Sequence, residues 1–195
     1  MRIPTTFAVV AKRPAAKREA RRVGASLGLR YVLRKPDFVL AFGGDGTLLW
    51  SEHLYPGVPK LLVKDSRTAK TYSDHRLEDA LAAVAQGRFC EERLLKLEAV
   101  VRQGRSTVRL VGLNDIIVRN RNPSKAMRFA LQVDSRERFR ELIGDGFVVA
   151  TPFGSGAYFH SITRRSLTRG IGVAFNNLTT RHKPNFCSCM IIRDY

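Results

Sequence analysis

Cysteine is scarce in this chain. Three occur in 195 residues, at Cys90, Cys187 and Cys189. An odd number so widely spaced excludes a disulfide framework. Cys187-Ser188-Cys189 lacks the second ligand pair that a structural zinc site requires. Free thiols fit a reducing compartment. Long apolar runs are also missing. Phe38 to Phe42 is the most continuous stretch near the start, and it has the length of a strand rather than of a membrane span. Met1-Arg2-Ile3-Pro4 carries a positive charge, but no apolar segment and cleavage site follow it, so a cytoplasmic protein without membrane attachment is expected. There is no internal repeat and no low-complexity linker. Acidic residues are few, 17 against 34 Lys and Arg, which leaves a net charge of +17.

That charge admits two readings. Clustered Lys and Arg neutralise nucleic-acid phosphates, and the same field draws small polyanions into a site. The clusters (Lys12 to Arg22, Arg119 to Arg128, Arg164 to Arg169) are not interleaved with aromatic residues as a single-strand binding platform would be. Hydrophobic residues make up 44% of the chain, enough for one domain or two small ones.

Thr6 to Val10 reads as a short buried strand. Pro14 to Leu27 reads as a helix, with Pro in its first turn and Gly28 as its stop. Ala16, Ala20, Val23 and Leu27 form its apolar side. Phe38 to Phe42 suits a strand covered on both faces of a parallel sheet, and Lys60 to Val63 reads as another. Asp74 is placed to cap a helix carrying Leu77, Leu81 and Val84, ended by Gly87. Strand and helix alternate, which predicts an α/β domain over residues 1–92 with a Rossmann-like parallel sheet. Beyond residue 93 the period changes to two. Leu95, Leu97, Ala99 and Val101 alternate with polar residues, as do Met127, Phe129, Leu131 and Val133. Antiparallel strands are expected there, giving a β-sandwich over residues 93–180. The last segment, 181–195, is expected to pack back on the first domain.

Three segments carry chemistry. Gly43-Gly44-Asp45-Gly46-Thr47 lies between a strand and a helix. Glycines let backbone N–H groups approach a phosphate, and a helix start adds partial positive charge. An aspartate repels phosphate in such a loop, but it makes sense as a base for an attacking hydroxyl or as a metal partner. Asn114-Asp115 places an amide beside a carboxylate, a pair able to hold the vicinal diol of a ribose. Gly144-Asp145-Gly146 leads through a short apolar strand into Thr151-Pro152-Phe153-Gly154-Ser155-Gly156-Ala157-Tyr158, a small-residue loop that can wrap a nucleotide closely. Taken singly, each of the last two is as well or better read as a turn.

In this order the three segments resemble the NAD kinase family, within the wider diacylglycerol kinase-like superfamily. That family carries a Gly-Gly-Asp-Gly loop, an Asn-Glu pair, and a Gly-Asp-Gly segment running into Thr-Pro-x-Gly-Ser-Thr-Ala-Tyr. The resemblance implies transfer of the ATP γ-phosphate to the 2′-hydroxyl of the adenosine ribose of NAD, with Asp45 as catalytic base. It implies nucleotide contacts from Gly43, Gly44, Gly46, Thr47, Asn114, Asp115, Asp145, Thr151, Gly154, Ser155, Gly156, Ala157, Tyr158 and Ser161. It implies Mg²⁺ or another divalent ion, ATP or polyphosphate as donor, and a homo-oligomer, either dimer or tetramer. No residue is assigned to the metal directly. Asp115 stands where the family has Glu, and Gly156 where it has Thr. Arg67, Lys70, Lys125, Arg128, Arg164 and Arg165 are candidates for phosphate contacts. A lipid or sugar kinase of the same superfamily is a rival reading, but the Gly-Thr-x-Asn-Asp element of lipid kinases is missing. A basic nucleic-acid-binding protein is the other rival, and no nucleic-acid signature supports it.

Overall fold

The computed structural model describes residues 3–65, 75–134, 136–179 and 189–192. Arg67, Lys70, Asp74 and Cys187 lie outside the described residues. The chain divides into two compact units, residues 1–92 and 93–195.

In the first unit β1 (Thr6–Ala11), β2 (Arg30–Tyr31), β3 (Phe38–Gly43) and β4 (Lys60–Lys64) form one parallel sheet in the order β2-β1-β3-β4. Alternation along each strand sends side chains to opposite faces. Phe7, Val9, Phe38, Leu40, Phe42 and Val63 pack against α1 (Pro14–Ser26) and α3 (Leu77–Ala85). Ala8, Val10 and Val39 pack on the other face, with Tyr55 and Val58 after α2 (Asp45–Leu54). A sheet covered on both sides needs strands that are apolar on both sides, which is why these strands are legible as unbroken apolar runs. Gly24, inside α1, leaves room for the Phe7 ring, which a Cβ there would strike.

The second unit is antiparallel. A sheet of order β12-β11-β10-β7 is built from β7 (Asp115–Arg119), β10 (Gly146–Ala150), β11 (Ile171–Asn176) and β12 (Cys189–Ile192). Two hairpins accompany it: β5 (Leu97–Gln103) with β6 (Ser106–Gly112), and β8 (Met127–Val133) with β9 (Arg136–Gly144). One face of the sheet meets the β8–β9 hairpin through Leu142, Val173 and Phe175, with Phe129, Phe139 and Phe147 around them. The other face is covered by α4 (Tyr158–Thr163), whose Phe159 is buried with Val148, Ala150, Leu167 and Ala174. This layered antiparallel arrangement agrees with the alternation read from the sequence.

Of the segment 181–195 only residues 189–192 are described. Its described part, β12, pairs with β11 and extends the second unit's own sheet. A strand edge offers a row of unpaired N–H and C=O groups, and another strand satisfies them.

Candidate functional site

The glycine loop of the first unit sits where β3 gives way to α2. Gly43 ends the strand, Gly44 precedes the helix in extended conformation, and Asp45 is its first residue. Thr47 is buried. Its hydroxyl accepts a hydrogen bond from the Gly44 N–H at 3.4 Å, while its own N–H donates to the Gly44 carbonyl at 2.7 Å. A Cβ on Gly43 would collide with the Thr47 side chain. Thr47 therefore braces the loop from a buried position. Asp45 and Gly46 are exposed, and nothing stands near the position of a Cβ on Gly46. The N–H groups of Asp45 and Gly46, at the first two helical positions, have no helical acceptor one turn back, so the exposed carboxylate stands beside two backbone donors. Arg13 grips Asp65 just beyond β4, and the Asp65 N–H donates to the Gly43 carbonyl at 3.0 Å, which fixes the loop from its other side. Hydrogen bonding to Asp65, and its charge, raise the Arg13 pKa further.

In the second unit the pairing of β7 with β10 sets Asp115 opposite Ala150. The Asn114-Asp115 pair thereby meets the start of the Thr151–Tyr158 segment, so two motifs more than thirty residues apart become neighbours. Thr151 is the joint between them. It is fully buried. Its N–H donates to the Asn114 carbonyl at 2.9 Å, its hydroxyl donates to the Leu113 carbonyl at 2.8 Å, and the Gly154 N–H donates to that hydroxyl at 3.0 Å. Gly154 lies so close to the Asn114 backbone that a Cβ would overlap it. The Asn114 Oδ1 is buried without a hydrogen-bond partner among the described residues. Burial raises the Asp115 carboxyl above the ordinary carboxylate range.

Residues 151–158 are not an open loop. Phe153–Gly156 forms a 3₁₀ turn and α4 follows. Ser155 is buried, its hydroxyl donating to the Pro152 carbonyl and accepting from the Leu167 N–H, each at 2.8 Å. The hydroxyls of Thr151 and Ser155 are thus committed to the protein's own backbone. The residues that face outward are Gly156, Ala157, Tyr158 (46% exposed) and Ser161. The Ser161 hydroxyl donates to the Tyr158 carbonyl at 2.7 Å.

Asp145 stands apart from this cluster. It lies at the Gly146 end of β10, whereas Thr151 follows the Ala150 end, a strand length of about 17 Å. Its carboxylate accepts from the Asn120 Nδ2 at 3.0 Å and from the Asn177 Nδ2 at 2.9 Å. Gly146 has φ +131°, and a Cβ there would strike the Val118 carbonyl. The Gly144-Asp145-Gly146 segment is a strand-to-strand turn braced by two asparagines that the sequence reading did not single out. Lys125, Arg128, Arg164 and Arg165 are exposed. Among the described residues no three His, Cys, Asp or Glu side chains gather as a metal site, and no helix is long and apolar enough to cross a membrane.

No family model matches the chain. Curated relatives do. An NAD kinase from Sulfurisphaera tokodaii is 30% identical over 162 residues, covering 80% of this chain and 62% of that protein. An NAD kinase from Geobacillus stearothermophilus is 33% identical over 138 residues, covering 67% of this chain and 50% of that protein. The chain therefore spans between half and about three fifths of the length of these relatives. Among solved structures, yeast NADH kinase complexed with NADH aligns over 97% of this chain and 70% of its own, with a TM-score of 0.79 at 17% identity. An NAD kinase from Archaeoglobus fulgidus in complex with ATP aligns over 96% of this chain and 77% of its own, with a TM-score of 0.75 at 22% identity. The chain is thus a homologue of the NAD kinases and shares their fold.

Proposed function

We propose that the chain transfers the γ-phosphate of ATP to the 2′-hydroxyl of the adenosine ribose of NAD, giving NADP. The observation that carries this reading is the exposed Asp45 carboxylate at the start of α2, set in a glycine turn between strand and helix. Relatives named NAD kinase and structural neighbours holding NADH or ATP support it.

A ribose hydroxyl is a weak nucleophile at neutral pH. Asp45 would take its proton as the oxygen attacks phosphorus, and the P–O bond to ADP breaks as the new one forms. Gly43, Gly44 and Gly46 keep side chains out of the way of the phosphates, and the first-turn amides of α2 face the charge they carry. Thr47 holds that geometry. In the second unit, Asn114 and Asp115 are assigned to the dinucleotide. The unpartnered Asn114 Oδ1 is an acceptor ready for a hydroxyl or amide. Gly156, Ala157, Tyr158 and Ser161 are assigned to the adenosine, with the exposed Tyr158 ring as the apolar contact. Thr151, Gly154 and Ser155 position these groups from beneath. Asp145 is assigned to the nucleotide through the lone pairs its asparagine partners leave free.

Mg²⁺ fits this donor set as a companion of the ATP phosphates rather than as a caged ion, since no three-ligand cluster exists among the described residues and Mg²⁺ is commonly held by one or two carboxylates plus substrate phosphates. Bound there, it supplies neutralisation of phosphate charge. The three cysteines fit a cytoplasmic setting. The test is NADP formation by purified protein from NAD, ATP and Mg²⁺. Steady NADP production supports the assignment. Folded protein that makes none with ATP or with polyphosphate refutes it.

A further inference from the structure

Three exposed apolar side chains of the first unit share one side of α2. Glu52 bonds to Lys60 on β4 and to the Gly57 N–H, so one flank of the helix faces the β4 edge of the sheet. Trp50 and Leu54 each stand two residues from Glu52, about half a turn round the helix, and so lie on the flank toward β1 and β2. There the bend after β2 comes up to the end of α2, where the Tyr55 hydroxyl donates to the Leu33 carbonyl at 3.3 Å. Leu33, Trp50 and Leu54 are 64%, 45% and 48% exposed. Cations frame them. Arg30, Arg34 and Lys35 are exposed on either side of Leu33, and no acidic residue occurs between Glu19 and Asp37. The Asp37 carboxylate is itself taken up by Thr5 and Thr6.

The combination selects among anionic partners. A nucleic acid rewards cations and stacked aromatics, but two of the three apolar groups here are aliphatic. An acidic protein rewards cations held in a set geometry, and among the described residues no carboxylate holds Arg30, Arg34 or Lys35. A bilayer of anionic lipid rewards every component. Leucine enters the acyl boundary, tryptophan settles at headgroup level, and Lys and Arg meet lipid phosphates over a fluid surface. We propose that Leu33, Trp50 and Leu54, with the three cations beside them, dock the first unit on the surface of an anionic membrane. Such a contact is peripheral and needs no spanning helix, which the described residues do not contain.

The inference is independent of the proposed activity and is tested without it. Trp50 is the chain's single tryptophan, so its fluorescence reports this surface. The full chain is mixed with unilamellar vesicles of phosphatidylcholine, alone or with phosphatidylglycerol. It is expected to sediment with the anionic vesicles only, with Trp50 emission shifted to the blue and quenched by lipids brominated on the acyl chain. Leu33→Asp and Leu54→Asp should each weaken partitioning at least about tenfold, through lost apolar burial. Arg34→Gln should weaken it about fivefold. Arg105→Gln, which removes a charge from the distant β5–β6 turn, should change it less than about twofold. A chain that leaves anionic vesicles unbound overturns the proposal and leaves the surface to a protein partner. Binding with Trp50 emission and quenching unchanged also overturns it, since another basic surface would then meet the lipid. Quenching by single-stranded RNA with none by lipid would assign the surface to nucleic acid and overturn it equally.

Discussion

Thr151→Val keeps the shape of the side chain and removes one hydroxyl. That hydroxyl donates to the Leu113 carbonyl at 2.8 Å and accepts from the Gly154 N–H at 3.0 Å, with Thr151 and Gly154 both buried. Valine leaves both backbone groups without a partner in a place water does not reach. Each unsatisfied buried group costs roughly 1–3 kcal/mol, so the variant with two of them should lose about 2–6 kcal/mol. Set against a typical total of about 5–15 kcal/mol, this is a large fraction. Urea titration followed by circular dichroism measures it, with Thr151→Ser as control. Serine restores the hydroxyl and should recover most of the loss. The same joint holds the Asn114 backbone to the turn at Gly154, so NAD affinity by calorimetry should fall in the valine variant and return with serine. A stability change under about 0.5 kcal/mol, within the range of ordinary surface substitutions, would refute the view of Thr151 as the joint between the two motifs.

Gly43→Ala should abolish activity and lower stability, since its Cβ would drive Thr47 from the loop; a variant with wild-type thermal midpoint and rate would show that Thr47 does not hold the loop. Asp115→Asn tests the buried carboxyl. A folded-state pKa raised by burial means that the native state binds more protons than the unfolded one above the ordinary carboxylate range. Wild-type stability attributable to this group is greatest at acid pH and falls as pH rises through the raised value. The asparagine variant should therefore melt above the wild type at neutral pH and level with it near pH 3, about a unit below the ordinary Asp value; the reverse ordering contradicts the sign. Tyr158→Ala should raise KM for NAD with kcat little changed, and unaltered NAD affinity would remove the ring from the site.

Much of this architecture could be read from the residues, and the failures have physical causes. The first unit's strands are apolar on both faces because helices cover both faces, so Phe38–Phe42 announces itself. The β5, β6 and β8 alternation is equally visible. The two-residue β2 is too short to leave a pattern. α4 has six residues, too few for a period, and its end is set by Arg164 at φ 58°, a backbone choice no side chain advertises. The three motifs stand out in the sequence by residue type, but which of their side chains bond to the protein's own backbone does not. That Thr151 and Ser155 face inward while Gly156 and Tyr158 face outward depends on the 3₁₀ turn. That Asn114 and Asp115 lie at the Thr151 end of β10 rather than beside Asp145 depends on the β7–β10 register, which is non-local. Asn120 and Asn177 gave no signal, because an asparagine beside a turn is ordinary until the structure brings its amide to a carboxylate.

The central claim is that Asp45 takes the proton from the attacking ribose hydroxyl. Asp45→Asn tests it most directly, through single-turnover formation of NADP at saturating NAD and ATP, with NAD affinity measured in parallel. General-base catalysis contributes about 10²–10⁴ in rate. The expected result is a loss of that size in the variant, with folding intact and NAD affinity within a few fold of wild type. NADP formation within about tenfold of wild type would contradict the base role, since it falls below the smallest contribution such a base makes.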